Sequence, residues 1–314
     1  MKKQTYKLPF EFNPNATTPL FSKFLDRVLP ERELQNIAAE FIAYIFISVK
    51  DLKLEKALLL YGGGANGKSV FHSVISALIG SQNISNFSLK DLSKETHRAH
   101  ISNKLLNYAS EISSNLDVTD FKALASIEPI VARHLYGQPF EMEDYAKLCF
   151  NCNNLPADIE HSHAYFRRFV ILPFRVTIPE NERDTELSKK IIEKELSGVF
   201  NWVLLGLERL LRNRGLTESK IVSEVVTKFQ NDADSVCQFL EENTFIKSKD
   251  QFESLKDLYF DYRGFCVLDG YKSLNKRNFK RRLELRGFDI KRKSCGNVVF
   301  LEESSKKPKQ TKLV

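Results

Sequence analysis

The chain has 314 residues, 42% of them hydrophobic, which is ordinary for a protein that buries a real core, and no apolar run of about 18 residues that would span a membrane. Five cysteines, at 149, 152, 237, 266 and 295, form an odd set, and Met1-Lys2-Lys3-Gln4-Thr5-Tyr6 lacks the apolar stretch of a signal peptide. This predicts reduced thiols in a cytoplasmic protein. The net charge of +7 is uneven: residues 271–314 hold 14 Lys and Arg against 4 Asp and Glu, a local +10 that leaves −3 for the rest and points to a polyanionic partner such as nucleic acid.

In chain order, the polar, Pro-containing opening around 8–15 reads as an arm or linker. Residues 31–47 carry Leu34, Ile37, Phe41 and Ile45 at spacings of one helix face. Residues 57–61 are a short apolar run ending in glycines, as in a buried parallel strand. Residues 70–79 predict a buried helix stopped by Gly80. Further buried strands are expected at 105–109, 148–152 and 169–172. A long amphipathic helical region spans 186–212, interrupted near Ser197-Gly198, and Gly215-Leu216-Thr217 marks a boundary. Strands alternating with helices predict an α/β fold with a parallel sheet, reactive at the strand C-termini.

The segment Gly62-Gly63-Gly64-Ala65-Asn66-Gly67-Lys68-Ser69 fits the P-loop pattern in spacing and context. Glycines let successive backbone N–H groups converge on phosphate oxygens, and the following helix adds its positive N-terminal dipole. Lys68 would reach the β- and γ-phosphates of ATP, and Ser69 would place its hydroxyl on Mg2+. Val70 completes the predicted ATP-binding set. Hydrolysis also needs a carboxylate, and Glu111 follows the strand at 105–109, placed to hold Mg2+ or polarise water. The strand at 148–152 ends in Asn153-Asn154, whose amides can bond a γ-phosphate or the lytic water. Cys149 and Cys152 lack the second pair of a zinc site. Arg167 and Arg168 precede a core strand, as surface charge or as a guanidinium aimed at a neighbouring γ-phosphate.

The loop at 60–69, Asn107-Tyr108-Ala109-Ser110-Glu111 and Asn153-Asn154-Leu155-Pro156 occur in the order seen in superfamily 3 helicases, a branch of the AAA+ ATPases. The chain most resembles the helicase part of phage and plasmid primase-helicases, with the poxvirus primase-helicase more distant. The likeness runs from about Pro19 to the basic module. It implies Walker A roles for Lys68 and Ser69, the Walker B carboxylate at Glu111, the sensor-1 amide at Asn153, and an arginine finger at Arg168, with Arg167 the second choice. It further implies a homo-hexameric ring drawing single-stranded DNA through its centre. A hairpin after the acidic strand would contact DNA through Arg133, His134 and Tyr136. Ser110 stands where many relatives carry a second acid. Priming is expected from a separate primase or polymerase, or from a part of the protein outside this chain.

Beyond 252–265, read as a helix, Ser273 is expected to cap a second helix at 274–286, with Phe279 and Leu283 inward and Lys276, Arg277, Lys280 and Arg281 outward. A hairpin with Lys291, Arg292 and Lys293 follows, so the region reads as a winged helix bound to duplex or forked DNA. The expected domains are a helical N-terminal segment (1–50), the ATPase core (51–214), a helical and winged-helix region (215–303) and a basic tail (304–314). The function expected is an ATP-dependent DNA helicase or translocase in replication of a phage, plasmid or other mobile element. The alternative is an ATP-switched loader that positions a partner without unwinding. A P-loop kinase of a small metabolite fits less well, because it has no use for the basic module.

Overall fold

The apolar runs become strands of one parallel sheet. The protein is described by a computed structural model over residues 6–109, 118–153 and 163–304. Strands β1 (Ala57–Tyr61), β2 (Ile84–Ser85) and β3 (Leu106–Ala109) are followed by a separate hairpin of β4 (Ile130–Arg133) and β5 (Pro139–Met142), then by β6 (Lys147–Cys152) and β7 (Phe169–Pro173). The five-stranded sheet has the order β2-β3-β6-β1-β7, and every pairing in it is parallel. β1 and β6, in the middle, are almost wholly buried, which explains their continuous rather than alternating apolar sequence. β2 is only two residues long and leaves no such signature.

Helices α1 (Pro19–Val28), α2 (Arg32–Ile45) and α3 (Lys68–Ile79) precede the short turns α4 (Leu89–Leu92) and α5 (Glu95–Arg98). They are followed by α6 (Val118–Ala125), α7 (His163–Phe166), α8 (Leu187–Asn213) and α9 (Lys220–Asp232). α1, α2, α3 and α8 share one apolar core with the sheet face formed by Leu58, Leu60, Leu106, Cys149 and Leu172. The fully buried Glu40 of α2 ties that layer together. It accepts from Arg209 Nε (3.1 Å), Thr217 N (2.7 Å) and Thr217 Oγ1 (2.6 Å), so its charge is paired and its lone pairs are used.

Two readings of residues 1–227 are corrected. α8 runs unbroken through Ser197-Gly198, because Gly198 marks a close approach and not an interruption. A Cβ there would collide with the Thr17 carbonyl, and one at Gly206 would come within 2.6 Å of Ala39. The opening segment, from Tyr6 on, is docked and is no free linker. Asn201 Nδ2 donates to the carbonyls of Asn13, Pro14 and Ala16 at 3.0–3.1 Å, and Phe10 packs edge-on to Phe200. Among the described residues no helix is long and apolar enough to cross a membrane.

The contacts separate two units, 1–227 and 228–314, divided within α9. The second unit contains α10 (Ser235–Glu242), β8 (Phe245–Lys247), β9 (Glu253–Ser254), α11 (Leu255–Leu268), α12 (Lys276–Leu285), β10 (Ile290–Lys293), β11 (Gly296–Val299) and β12 (Leu301–Glu303). Its core is aromatic, with Tyr262 stacked on Phe279 at 4.5 Å and Phe239 edge-on to Tyr262. The cap of α12 is Asn275, which accepts from Asn278 N at 2.9 Å, and the helix begins after the expected Ser273 and Leu274. Buried Asp234 caps α10 and pairs with Arg286 at 2.8 Å. β10 and β11 form the basic hairpin, extended by β9.

Candidate active site

The C-terminal edge of the sheet is shaped by strand order. β6 lies between β1 and β3, with Tyr61 opposite Cys152 and Ala109 opposite Phe150. At about 4.8 Å per strand, the end of β3 lies only about 10 Å from the end of β1. Residues 62–67 leave β1 there and turn into α3. Their path is fixed by the backbone: Gly62 N donates to Cys152 O (3.1 Å), Phe174 N to Tyr61 O (2.7 Å) and Ile178 N to Ala65 O (2.8 Å). At Gly62 (φ 151°) a Cβ would collide with the Phe174 carbonyl, and at Gly67 (φ 90°) it would lie 2.7 Å from Val28 Cγ1. At Gly63 and Gly64 a Cβ would meet no protein atom within 4 Å, so these two line open space.

Lys68, the first residue of α3, is buried with its ammonium turned back on the loop. It donates to the carbonyls of Gly62 and Gly63 (2.9 Å for the latter) and to Asn66 Oδ1 (3.2 Å). Burial lowers its pKa from the ordinary lysine value. Buried Asn66 in turn donates to Phe174 O at 3.1 Å, linking the lysine to the chain leaving β7. Ser69 is exposed on the first turn of α3, where unpaired backbone N–H groups and the helix dipole favour an anion.

These groups face a cavity of about 690 Å³. The glycine loop, Val70, the end of β6, α1 and the 178–187 segment enclose it. Leu20, Phe24, Ile178 and Leu187 give it an apolar wall, whereas Lys23, Arg27 and Arg183 add cations. Arg27 of α1 is paired with Glu182 across the rim. α1 has no side-chain cap of its own; Glu195 of α8 accepts from Leu20 N and Phe21 N, both at 2.9 Å, and so fixes this wall. None of these α1 residues was singled out from the sequence. Pro19 at the start of a short amphipathic segment was the available signal.

Glu111 and Asn154 lie outside the described residues. Asn153, just past β6, lines the cavity, and so does Asn151, which sequence reasoning passed over as part of an apolar strand. The two arginines separate sharply. Arg168 is buried, its Nε bonded to Ser126 Oγ (2.9 Å) and Lys122 O (3.2 Å) and its Nη1 to Ala164 O. Arg167 is the outward one, paired with Glu55 at 2.8 Å. Cys149 and Cys152 point to opposite faces of β6, and burial raises the Cys149 thiol pKa.

The β4–β5 hairpin carries Tyr136 at its tip, 99% exposed and at φ 61°, beside Leu135 at 71%. Arg133 is exposed, and His134 stacks on Phe140 at 5.4 Å. In the second unit Lys276, Arg277 and Arg281 are exposed along α12, opposite the buried Phe279 and Leu283, and Lys280 lies 3.6 Å from Glu284. On β10, Lys291 pairs with Asp289 (2.6 Å), Arg292 is exposed, and Lys293 sits 3.3 Å over the Phe252 ring.

Comparison with known proteins adds three findings. The profile of a "Family of unknown function (DUF5906)" matches residues 60–168, from the glycine loop to the arginine pair. The chain is 22% identical over 278 residues to the "Putative helicase L207/L206" of Acanthamoeba polyphaga mimivirus. That match covers 77% of this chain, which spans only 28% of the viral protein. Among solved structures, an apo form of the NrS-1 C-terminal region superposes with a TM-score of 0.56 at 14% identity, over 94% of this chain and 79% of the other. Another apo structure of that region gives 0.51 at 16% identity, over 96% and 83%. The chain thus shares an α/β fold with the NrS-1 C-terminal region and a distant sequence likeness with a viral protein named as a helicase.

Proposed function

We propose that this chain is an ATP-driven DNA helicase or translocase of the superfamily 3, AAA+ type, acting in replication of a mobile element. The observation that carries the reading is the P-loop between β1 and α3, with Lys68 and Ser69 at the head of the helix and an open cavity before them. The name of the mimiviral relative supports it.

In this reading the triphosphate enters along Gly63 and Gly64, where no side chain obstructs it, and meets the N–H groups at the start of α3. Lys68 exchanges the Gly62 and Gly63 carbonyls for the β- and γ-phosphates, which satisfy its ammonium better than neutral acceptors do. The base and ribose occupy the apolar part of the cavity against α1. The exposed hydroxyl of Ser69, with Glu111, would hold Mg2+, which neutralises phosphate charge when bound. Arg167 takes the finger role in a hexameric ring, since it faces outward and Arg168 is committed within its own chain. Tyr136 and Leu135 project the hairpin tip toward a DNA strand, where an aromatic stacks on bases without sequence preference. The second unit acts as a winged helix, with α12 toward the groove and the β10–β11 hairpin toward phosphate.

Steady-state ATP hydrolysis with and without single-stranded DNA, for wild type and Lys68→Ala, tests this. DNA-stimulated turnover that falls at least ~100-fold in the variant is expected, since Lys68 contacts charge that grows in the transition state. Hydrolysis indifferent to DNA would favour a loader that positions a partner. No hydrolysis at all would overturn the reading.

A further inference from the structure

The β9–β10–β11 sheet of the second unit has two faces. On one, Ile290 of β10 and Val299 of β11 stand opposite each other and pack against the aromatic core. By the two-residue period of a strand, Lys291, Lys293 and Val298 point the other way. Phe252, just before β9, and Phe300, just after β11, meet on that outer face with ring centroids 5.7 Å apart. Phe300 is nearly buried, whereas Phe252 is 43% exposed.

Two ammonium groups stand over this ring pair. Lys293 Nζ lies 3.3 Å from the centre of the Phe252 ring and 5.2 Å from that of Phe300, and Lys291 Nζ lies 5.0 Å from the Phe300 ring. Lys291 also pairs with Asp289, but among the described residues no carboxylate pairs with Lys293. For an exposed ammonium a ring face is a weak partner, and a phosphate oxygen is a stronger one. Exchanging one for the other lifts Lys293 off Phe252 and uncovers a flat apolar surface the size of a base. A duplex keeps its base faces stacked inside. An unpaired nucleotide brings a phosphate and a free base face together.

We propose that Phe252, with Phe300 beside it, is a stacking platform for an unpaired base of single-stranded DNA, and that Lys293 and Lys291 move onto the flanking phosphates. The site goes beyond the phosphate contact assigned to the β10–β11 hairpin, because it distinguishes a separated strand from a duplex. It rests on the nucleic-acid reading of the second unit given above.

The test is equilibrium binding of a fluorescent oligo-dT, and of a duplex of equal length, to the full chain without nucleotide. The parent carries Tyr136→Ala, so that the hairpin tip of the first unit cannot stack, and Phe252→Leu, Phe252→Tyr or Lys293→Ala is added to it. Leucine keeps the apolar cover and removes the π face; tyrosine keeps both. Phe252→Leu should weaken oligo-dT binding about 5- to 100-fold and duplex binding less than about twofold, at an unchanged melting temperature. Phe252→Tyr should bind as the parent does. Lys293→Ala should lower the slope of log affinity for oligo-dT against log salt by about 0.7, a change that a lysine merely resting on a ring would not produce. A strand carrying 5-iododeoxyuridine should photocrosslink to Phe252. Unchanged oligo-dT binding in Phe252→Leu, an equal loss toward duplex, an unchanged salt slope, or crosslinks that all fall outside Phe252 and Phe300 would each overturn the inference and leave duplex binding by α12 standing. A parent that binds neither oligonucleotide at low salt overturns the inference and the nucleic-acid reading of this unit together.

Discussion

The glycine loop of the first unit is fixed by main-chain hydrogen bonds and by two positions where a Cβ does not fit, whereas the cations of the second unit stand on exposed side chains over an aromatic core. In the first, backbone geometry sets the loop, and Gly62 and Gly67 tolerate little. In the second, exposed charge is spread over α12 and β10, so on the proposed reading no single residue should be indispensable. A short motif therefore identifies the loop, while the basic region is identified only by composition and by which helix face is left outside.

The sharpest way to break this contrast is within the loop. Gly62→Ala should destabilise by about 3 kcal/mol or more and abolish nucleotide binding, because the added methyl meets a main-chain carbonyl that cannot swing away. Gly64→Ala has open space around it and should stay within roughly 0.5 kcal/mol of wild type in denaturant unfolding. Equal losses at both positions would mean that the loop is not backbone-fixed. Next in size is the arginine pair. Arg168→Ala removes a donor from the Ser126 hydroxyl and from the Ala164 and Lys122 carbonyls, the last of which keeps Ser126 N, and should cost about 2–4 kcal/mol. Arg167→Ala should cost under about 1 kcal/mol, as an exposed pair does, yet reduce turnover in the assembled form. The smallest effect belongs to the basic face. Alanine at Lys276, Arg277 or Arg281 should each lower the slope of log affinity for DNA against log salt by about one, with little change in melting temperature. A single substitution that removes binding altogether would place a specific contact where we describe a distributed one.

The central strands and the α3 helix were legible in the sequence because continuous apolar runs bounded by glycine allow few other readings. The cation-bearing face of α12 was legible from the spacing of Phe279 and Leu283. Gly198 was not, since a helix interruption and a close approach of backbone look alike until Thr17 is placed beside it. Nor was the difference between Arg167 and Arg168, adjacent residues whose side chains leave the backbone in different directions. Ser273 and Asn275 are both good cap residues, and Asn278 N decides between them only in three dimensions. At the cavity, Lys68 and the glycines declared themselves. The α1 wall and the place of Asn151 in the cavity lining depend on packing and on neighbours distant in sequence.

Glu195 bears on the order in which the protein is made. The α1 wall of the cavity is held by a carboxylate that leaves the ribosome about 175 residues after the N–H groups it caps. At typical elongation rates that interval lasts on the order of ten seconds or more. During it the residues of the glycine loop and α3 are already synthesised, but the cap of α1 is still to come, and for most of it so are Cys152, Phe174 and Ile178, which fix the loop. On the proposed reading, a nascent chain arrested before residue 195 should therefore show no ATP-dependent protection from protease.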